Sequence, residues 1–331
     1  MRSSNGFLTR RSALGGIAAS AAFGLTRVRA QGAWPTQTIK IIVPYPAGGS
    51  TDVLARILGE QLQTKLGQTV VVENRPGAGG NIGIAAVTGA SPDGYTIGAA
   101  TVGHFAINQY LYTKMPYDPE HDFIPVTMTW ELPNVFVVSS EHCPAKTLAE
   151  FVTWAKPREK NSFGSPGVGT SPHLSGALFS KRAGINAVHV PFRGAAQTVP
   201  AILAGDVTYA LDNLASYIPY IENKSMRAFA VTSALRWVTL PDVPTMAEAG
   251  FNDFVVTSWA GWVLPKGTPQ PIVDKLAATQ KEIAADSDMR KRFLVAGARL
   301  LSSTPNEIAT FASKERGMWK EMVAVSGAQP Q

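Results

Sequence analysis

The feature that most constrains this chain is a repeated alternation: from Trp34 onward, short β-rich runs take turns with stretches of helical spacing, and glycine-rich joints separate them. Such alternation predicts parallel sheets with helices on their faces, an α/β fold. Ile39–Val43 reads as the first strand. Asp52–Leu66 then spaces Val53, Leu54, Ile57, Leu58, Leu62 and Leu66 as one helix face, with Gly67 as its stop. Thr69–Val72 follows as a second strand and completes a βαβ unit. The same grammar predicts strands at 95–99, 135–138, 162–164, 187–190, 208–211, 227–231 and 255–264. It predicts helices at 82–88, 146–156, 172–182, 195–203, 214–222, 270–285, 288–296 and 305–324.

Residues 1–30 are set apart from this pattern. Arg2, Arg10 and Arg11 precede an apolar, small-residue stretch from Ala13 to Leu25, and Val28-Arg29-Ala30 suits cleavage, so this segment is expected to be a secretory leader cut near Ala30. The Arg10-Arg11 pair resembles a twin-arginine signal, with Sec export left open. The stretch is short for a membrane span, and a chain that is not membrane-embedded is expected beyond it. About 300 residues then remain, for which two domains of roughly 150 are the natural division.

The formal charge of +6 belongs largely to the leader, because residues 1–30 hold five Arg and no acid. The remainder carries a net charge of +1, which removes the case for a nucleic-acid surface. Cys143 is the single cysteine and reads as a small buried hydrophobe, with no internal disulfide and no thiolate metal cluster to be formed. No metal and no cofactor are expected.

Chemistry is concentrated in the loops at the carboxyl ends of the predicted strands, the ligand edge of an open α/β sheet. In the first, Pro44–Asp52, Tyr45, Ala47, Gly48, Gly49, Ser50 and Thr51 lead into a helix N-terminus. There the glycines admit close backbone approach, and free N–H groups present a partial positive charge to an anion. Ser50 or Thr51 is expected to cap that helix. Asp52, which would repel an anion, is expected to serve its own helix dipole or to accept from a ligand. The second loop has the same layout in the other half of the chain: Ser165, Gly167, Gly169, Thr170, Ser171 and His173 lie on it, with Ser171 expected as cap and Pro172 as the first helical residue. Two anion-competent helix N-termini, one from each domain, suit a clamshell closing on a charged ligand.

Three further positions are candidates: Asn81 in the loop 77–83, Arg193 after the strand 187–190, and Asp212 after the strand 208–211. Arg193 has the fork to pair a carboxylate, and a solvated or interdomain ion-pair role is an equal reading. The loop 77–83 is superficially a dinucleotide loop, but Ile82 stands where a third glycine is needed. No G-x-S-x-G, H-E-x-x-H or lysine-bearing P-loop is present. A small-ester hydrolase using Ser50 or Ser171 stays open as the alternative, with a histidine partner still to be found.

These segments, in order, resemble the Bug-type solute receptors of tripartite tricarboxylate transporters. The resemblance is carried by the loop 44–52, Val72-Glu73-Asn74-Arg75-Pro76-Gly77-Ala78-Gly79-Gly80-Asn81-Ile82-Gly83, Ser91-Pro92-Asp93-Gly94-Tyr95-Thr96, Tyr117-Asp118-Pro119, Gly167–Leu174, Arg193-Gly194 and Val243–Gly250. It implies a periplasmic protein with a two-domain Venus-flytrap fold, type II-like, with two interdomain crossings near Val137 and Val255. Domain 1 would be residues 31–137 plus 255–331, and domain 2 residues 138–254. It also implies a small carboxylate (a di- or tricarboxylate, an amino acid or an aromatic acid) held by backbone amides and waters from Ala47–Thr51 and Gly167–Ser171. Delivery would be to membrane transporter subunits, or the chain would be an orphan carboxylate sensor. Phe192-Arg193-Gly194 departs from the Tyr-Lys-Gly many members carry, and Trp130, Trp259 and Trp262 are candidates for aromatic pocket walls.

Overall fold

The computed structural model describes residues 34–328; the proposed leader lies outside them. The elements run β1 (Ile39–Val43), α1 (Ser50–Leu66), β2 (Val70–Asn74), α2 (Asn81–Thr88), β3 (Thr96–Thr101), β4 (Phe123–Ser139), α3 (Leu148–Ala155), β5 (Asn161–Ser165) and α4 (Ser171–Ala183). They continue with β6 (Ala187–Pro191), α5 (Ala195–Leu203), β7 (Tyr209–Asn213), α6 (Ile218–Glu222), β8 (Met226–Val231), β9 (Thr257–Pro265), α7 (Gln270–Ala285), α8 (Ser287–Val295), β10 (Arg299–Leu300) and α9 (Pro305–Ser326).

Two parallel units form as the alternation predicts: β2-β1-β3 in the first half, and β6-β5-β7 in the second. What joins them is antiparallel. β9 runs against β3 and β4, and β4 runs against β7 and β8, so the fold is a mixed α/β sheet rather than a purely parallel one. β4 is seventeen residues long where the sequence suggested only 135–138. Pro125 and Pro133 disguised its first part, because a proline cannot donate to a ladder and reads as a strand boundary. The prolines do leave marks: the β4–β9 register shifts between Pro125 and Thr127, and Pro133, opposite Thr257, is the last β4 residue paired with β9. From Asn134 onward β4 pairs with β7, and from Val135 with β8 as well. One strand thus passes from the first half into the second.

One apolar layer stays within the first half, and a second runs across both, joining the aromatic residues around β4 to Phe105 and Trp259. In the first, Leu54, Leu58 and Leu62 of α1 meet Ile39, Ile41, Trp262 and the α7 residues Val273 and Leu276. In the second, Phe136, Phe151, Phe179, Tyr209 and Phe229 form an aromatic cluster around β4. Trp130, Trp259 and Trp262 are all core residues rather than pocket walls. Trp259 Nε1 donates to Glu315 and Trp262 Nε1 to Gln280, which satisfies the indole N–H that burial would otherwise orphan. α9 straddles the halves: Arg316 Nε donates to the Phe105 carbonyl, and Lys181 Nζ of α4 donates to the Val325 carbonyl. No helix among the described residues is long and apolar enough to cross a membrane.

Candidate functional site

The carboxyl ends of β1, β3, β5 and β7 open onto one cleft between the halves, with about 480 Å3 of space not filled by protein atoms, open solvent included. Tyr45, Pro46, Gly49, Ser50, Thr51, Thr101, Val102 and Ser258 line it from the first half. Pro166, Thr170, Ser171, Pro172, Gly194, Ala195, Asp212, Asn213 and Ser216 line it from the second. The N-termini of α1 and α4 therefore face the same space, and no Lys, Arg or His is among the lining residues.

Both helix starts differ in detail from expectation. α1 begins after Gly49 with no side-chain cap; neither Ser50 nor Thr51 fills that role. Instead the Asp52 carboxylate reaches back to accept from Gly48 N–H at 2.9 Å, while Arg56 Nε and Asn74 Nδ2 donate to its oxygens at 3.0 and 2.8 Å. Burial pushes the Asp52 carboxyl up, but these donors outweigh it and hold it below the usual carboxylate range. At α4 the cap is Thr170, whose hydroxyl accepts from His173 N–H, one residue before the expected Ser171. That shift releases the Ser171 hydroxyl, which is buried in the cavity wall without a hydrogen-bond partner.

The halves touch around the cavity. Ser50 N–H donates to Ser216 Oγ at 3.0 Å, and the two hydroxyls lie 2.6 Å apart. The Tyr112 hydroxyl donates to the Val168 carbonyl at 3.0 Å. Gly79, at positive φ in the supposed dinucleotide loop, leaves no room for a side chain against that same carbonyl. A methyl group on Gly194 would stand 3.0 Å from Pro46 Cδ. These contacts hold the two halves together around the cavity.

Of the residues chosen from sequence, Tyr45, Gly49, Ser50, Thr51, Thr170, Ser171 and Asp212 come together on the cavity wall. Ala47 and Gly48 sit exposed on the outer side of their loop. Asn81 is buried behind it and accepts from the Tyr117 hydroxyl at 2.9 Å. Ser165, Gly167 and Gly169 form the back of the second loop, where Ser165 Oγ accepts from Gly167 N–H and lies 2.7 Å from His189 Nε2. His173 is turned into a different cavity and stacks on His189 at 4.1 Å between ring centroids. Arg193 is exposed, with its backbone N–H donating to Gln197. Thr101, Ser216 and Ser258 were missed; Thr101 lies two residues past the strand expected at 95–99 because β3 runs on to it, and nothing local marks the other two.

Asp212 is wholly buried, and burial pushes its carboxyl up to about 7, against the bonds it accepts from Asn213 N–H and the Tyr217 hydroxyl. Neither Ser50 nor Ser171 has a histidine as a hydrogen-bond partner among the described residues: Ser50 Oγ bonds Ser216 and the Asn213 carbonyl, and Ser171 Oγ has none.

Residues 54–327 match the family model described as the tripartite tricarboxylate transporter family receptor. The chain belongs to that receptor family. Its members are periplasmic binding proteins. BugT of Bordetella pertussis is 33% identical over 324 residues, covering 97% of this chain and 99% of BugT. Among solved structures, Rpa4515 of R. palustris with adipate superimposes with a TM-score of 0.88 at 32% identity, covering 90% of this receptor and all of that chain. MatC of Rhodopseudomonas palustris with bound malate gives 0.81 at 31% identity, over 87% of this receptor and 99% of MatC. The resemblance read from the loop motifs and the Venus-flytrap fold class are both borne out.

Proposed function

We propose that this receptor is exported, captures a small carboxylate between the N-termini of α1 and α4, and presents the closed form to a membrane transporter. The observation that carries the reading is the convergence of the α1 and α4 N-termini, one from each half, with the α5 start at Gly194–Ala195 beside them, on a cavity without a cationic side chain. In such a cavity an anion is held by backbone N–H groups and helix dipoles. The carboxylates bound to Rpa4515 and MatC fit that chemistry. The ligand-touching residues are Tyr45, Gly49, Ser50, Thr51, Thr170, Ser171 and Asp212; the other loop residues singled out above support them. We assign residues 31–137 and 255–331 to one domain and 138–254 to the other, with the hinge where β4 exchanges β9 for β7 and where the chain returns before β9. Residues 1–30 act as the export signal, cut near Ala30.

A receptor rather than a hydrolase is proposed because neither candidate serine has a base beside it. The test is a thermal-melt screen of residues 31–331, unfolded and refolded to strip carried ligand, against di- and tricarboxylates, amino acids and aromatic acids. A ligand at a hundred times its Kd adds about 2.7 kcal/mol. A shift with one acid class is expected; no shift with any acid, together with ester turnover abolished by Ser50→Ala or Ser171→Ala, overturns the reading.

A further inference from the structure

A second recess lies behind the strands that join the halves. In β9, Thr257 lines this groove while its neighbour Ser258 lines the ligand cavity. Successive side chains of a strand point to opposite faces, so groove and cavity lie on opposite faces of the hinge strands. Pro133, which pairs with Thr257 where β4 leaves β9, lines the groove too. About 950 Å3 there is not filled by protein atoms, open solvent included.

The two walls of the groove belong to different halves. From the second half come Leu235 and Val238, 79 and 66% exposed. They are held firmly: Trp237 between them is buried, and Arg236 donates to both Glu248 oxygens and to the Pro241 carbonyl. From the first half comes the end of α8, where Leu294 lines the groove and Val295 is 65% exposed. The floor is already closed, because Leu294 packs against the cluster that holds Trp237, and the Arg299 guanidinium lies 6.0 Å from the centre of the Trp237 ring.

The halves thus meet around the cavity while the rims of the groove stand apart in water. With the hinge strands and the floor as pivot, a rotation that widens the cavity on one face draws the rims together on the other. Apolar side chains on both rims then leave water, and their burial favours the open state. We propose that this groove is a counterweight to closure: Leu235, Val238 and Val295 hold the ligand-free receptor open and so set how tightly it binds, without touching the ligand.

The proposal rests on the hinge assigned above but not on the ligand being a carboxylate, and its test uses no ligand. Small-angle X-ray scattering of ligand-stripped wild type is expected to give a larger radius of gyration than the conformation described above. Leu235→Ser/Val238→Ser moves the radius at least halfway back to that compact value, and Val295→Ser, from the opposite wall, moves it in the same direction. Val71→Ser, at an exposed valine of the edge strand β2, three strands from β9, leaves it unchanged. All the substituted side chains are exposed, so the fold is not at stake. A wild type already at the compact value overturns the proposal, as does a wild-type radius in either groove variant or an equal contraction in Val71→Ser. Absence of any acid binding in the melt screen withdraws the carboxylate reading and leaves this comparison standing.

Discussion

The two loops that offer helix N-termini to the cavity do the same job with opposite materials. The first is pinned by charge: the Asp52 carboxylate gathers Gly48 N–H, Arg56 and Asn74, so one buried anion ties the loop to its own helix and to β2. The second is pinned by neutral groups: Thr170 Oγ donates to the Gly167 carbonyl, Ser165 holds Gly167 and meets His189, and His173 packs beneath Gly169. Burial pushes His173 down to about 4 and His189 to about 3, so both rings are uncharged at neutral pH. A backbone shaped to receive an anion can therefore be braced by an ionic network or by imidazoles. The two braces respond differently to acid.

Breaking the charged brace is expected to cost most. Asp52→Ala removes a buried acceptor of several donors, and because Arg56 stays half exposed and can be rehydrated, the loss is about 3 kcal/mol in urea unfolding. The Asp52 carboxyl is lowered in the fold, so its contribution is present above the ordinary carboxyl range and is lost only as pH falls through it. The difference between wild type and Asp52→Ala is thus expected to stay constant from pH 8 to about 5.

The neutral brace sharpens the contrast. Both histidines are lowered from 6.5, so the folded state binds fewer protons than the unfolded one, and their contribution is complete above pH 6.5 and lost as pH falls toward 4. Against a His173→Gln/His189→Gln double variant, wild-type stability is expected to fall by up to about 6 kcal/mol between pH 7.5 and 4, about 3 from each ring. Taking the difference cancels the opposite trend of Asp212, whose raised carboxyl favours the fold at low pH. A flat difference would show that the imidazoles do not brace this loop.

The smallest effect concerns how the two loops meet. Gly194 has an extended backbone that any residue adopts, yet a methyl group there crowds Pro46 of the first loop in the closed form. Gly194→Ala is expected to weaken ligand binding about tenfold, or about 1.4 kcal/mol, by calorimetry. Stability of the ligand-free protein should change by less than about 0.5 kcal/mol. Equal losses in both would place the glycine in folding rather than in closure.

Much of this architecture was legible because its signals are local. α5 lies at 195–203 as read, α1 ends at Gly67 as read, and both glycine loops stand between a strand and a helix. The family resemblance followed from the same loops. Less legible was anything that needed two distant segments at once. β4 hid behind Pro125 and Pro133 because its length depends on strands more than a hundred positions away accepting it. The cap of α4 was misread by one residue because Thr170 and Ser171 are equally able caps in isolation.

By itself the sequence determined the alternation of strands and helices, the turns that glycine makes possible and the anion-ready helix starts, since periodicity and φ preference act over a few residues. Only the tertiary structure decided that Ser50 meets Ser216, that His173 turns away to His189, and that Asp212 joins Ser50 and Ser171 in one cavity wall. Those pairings are set by strand order and domain closure, and no local pattern records which sheet edge a residue will face.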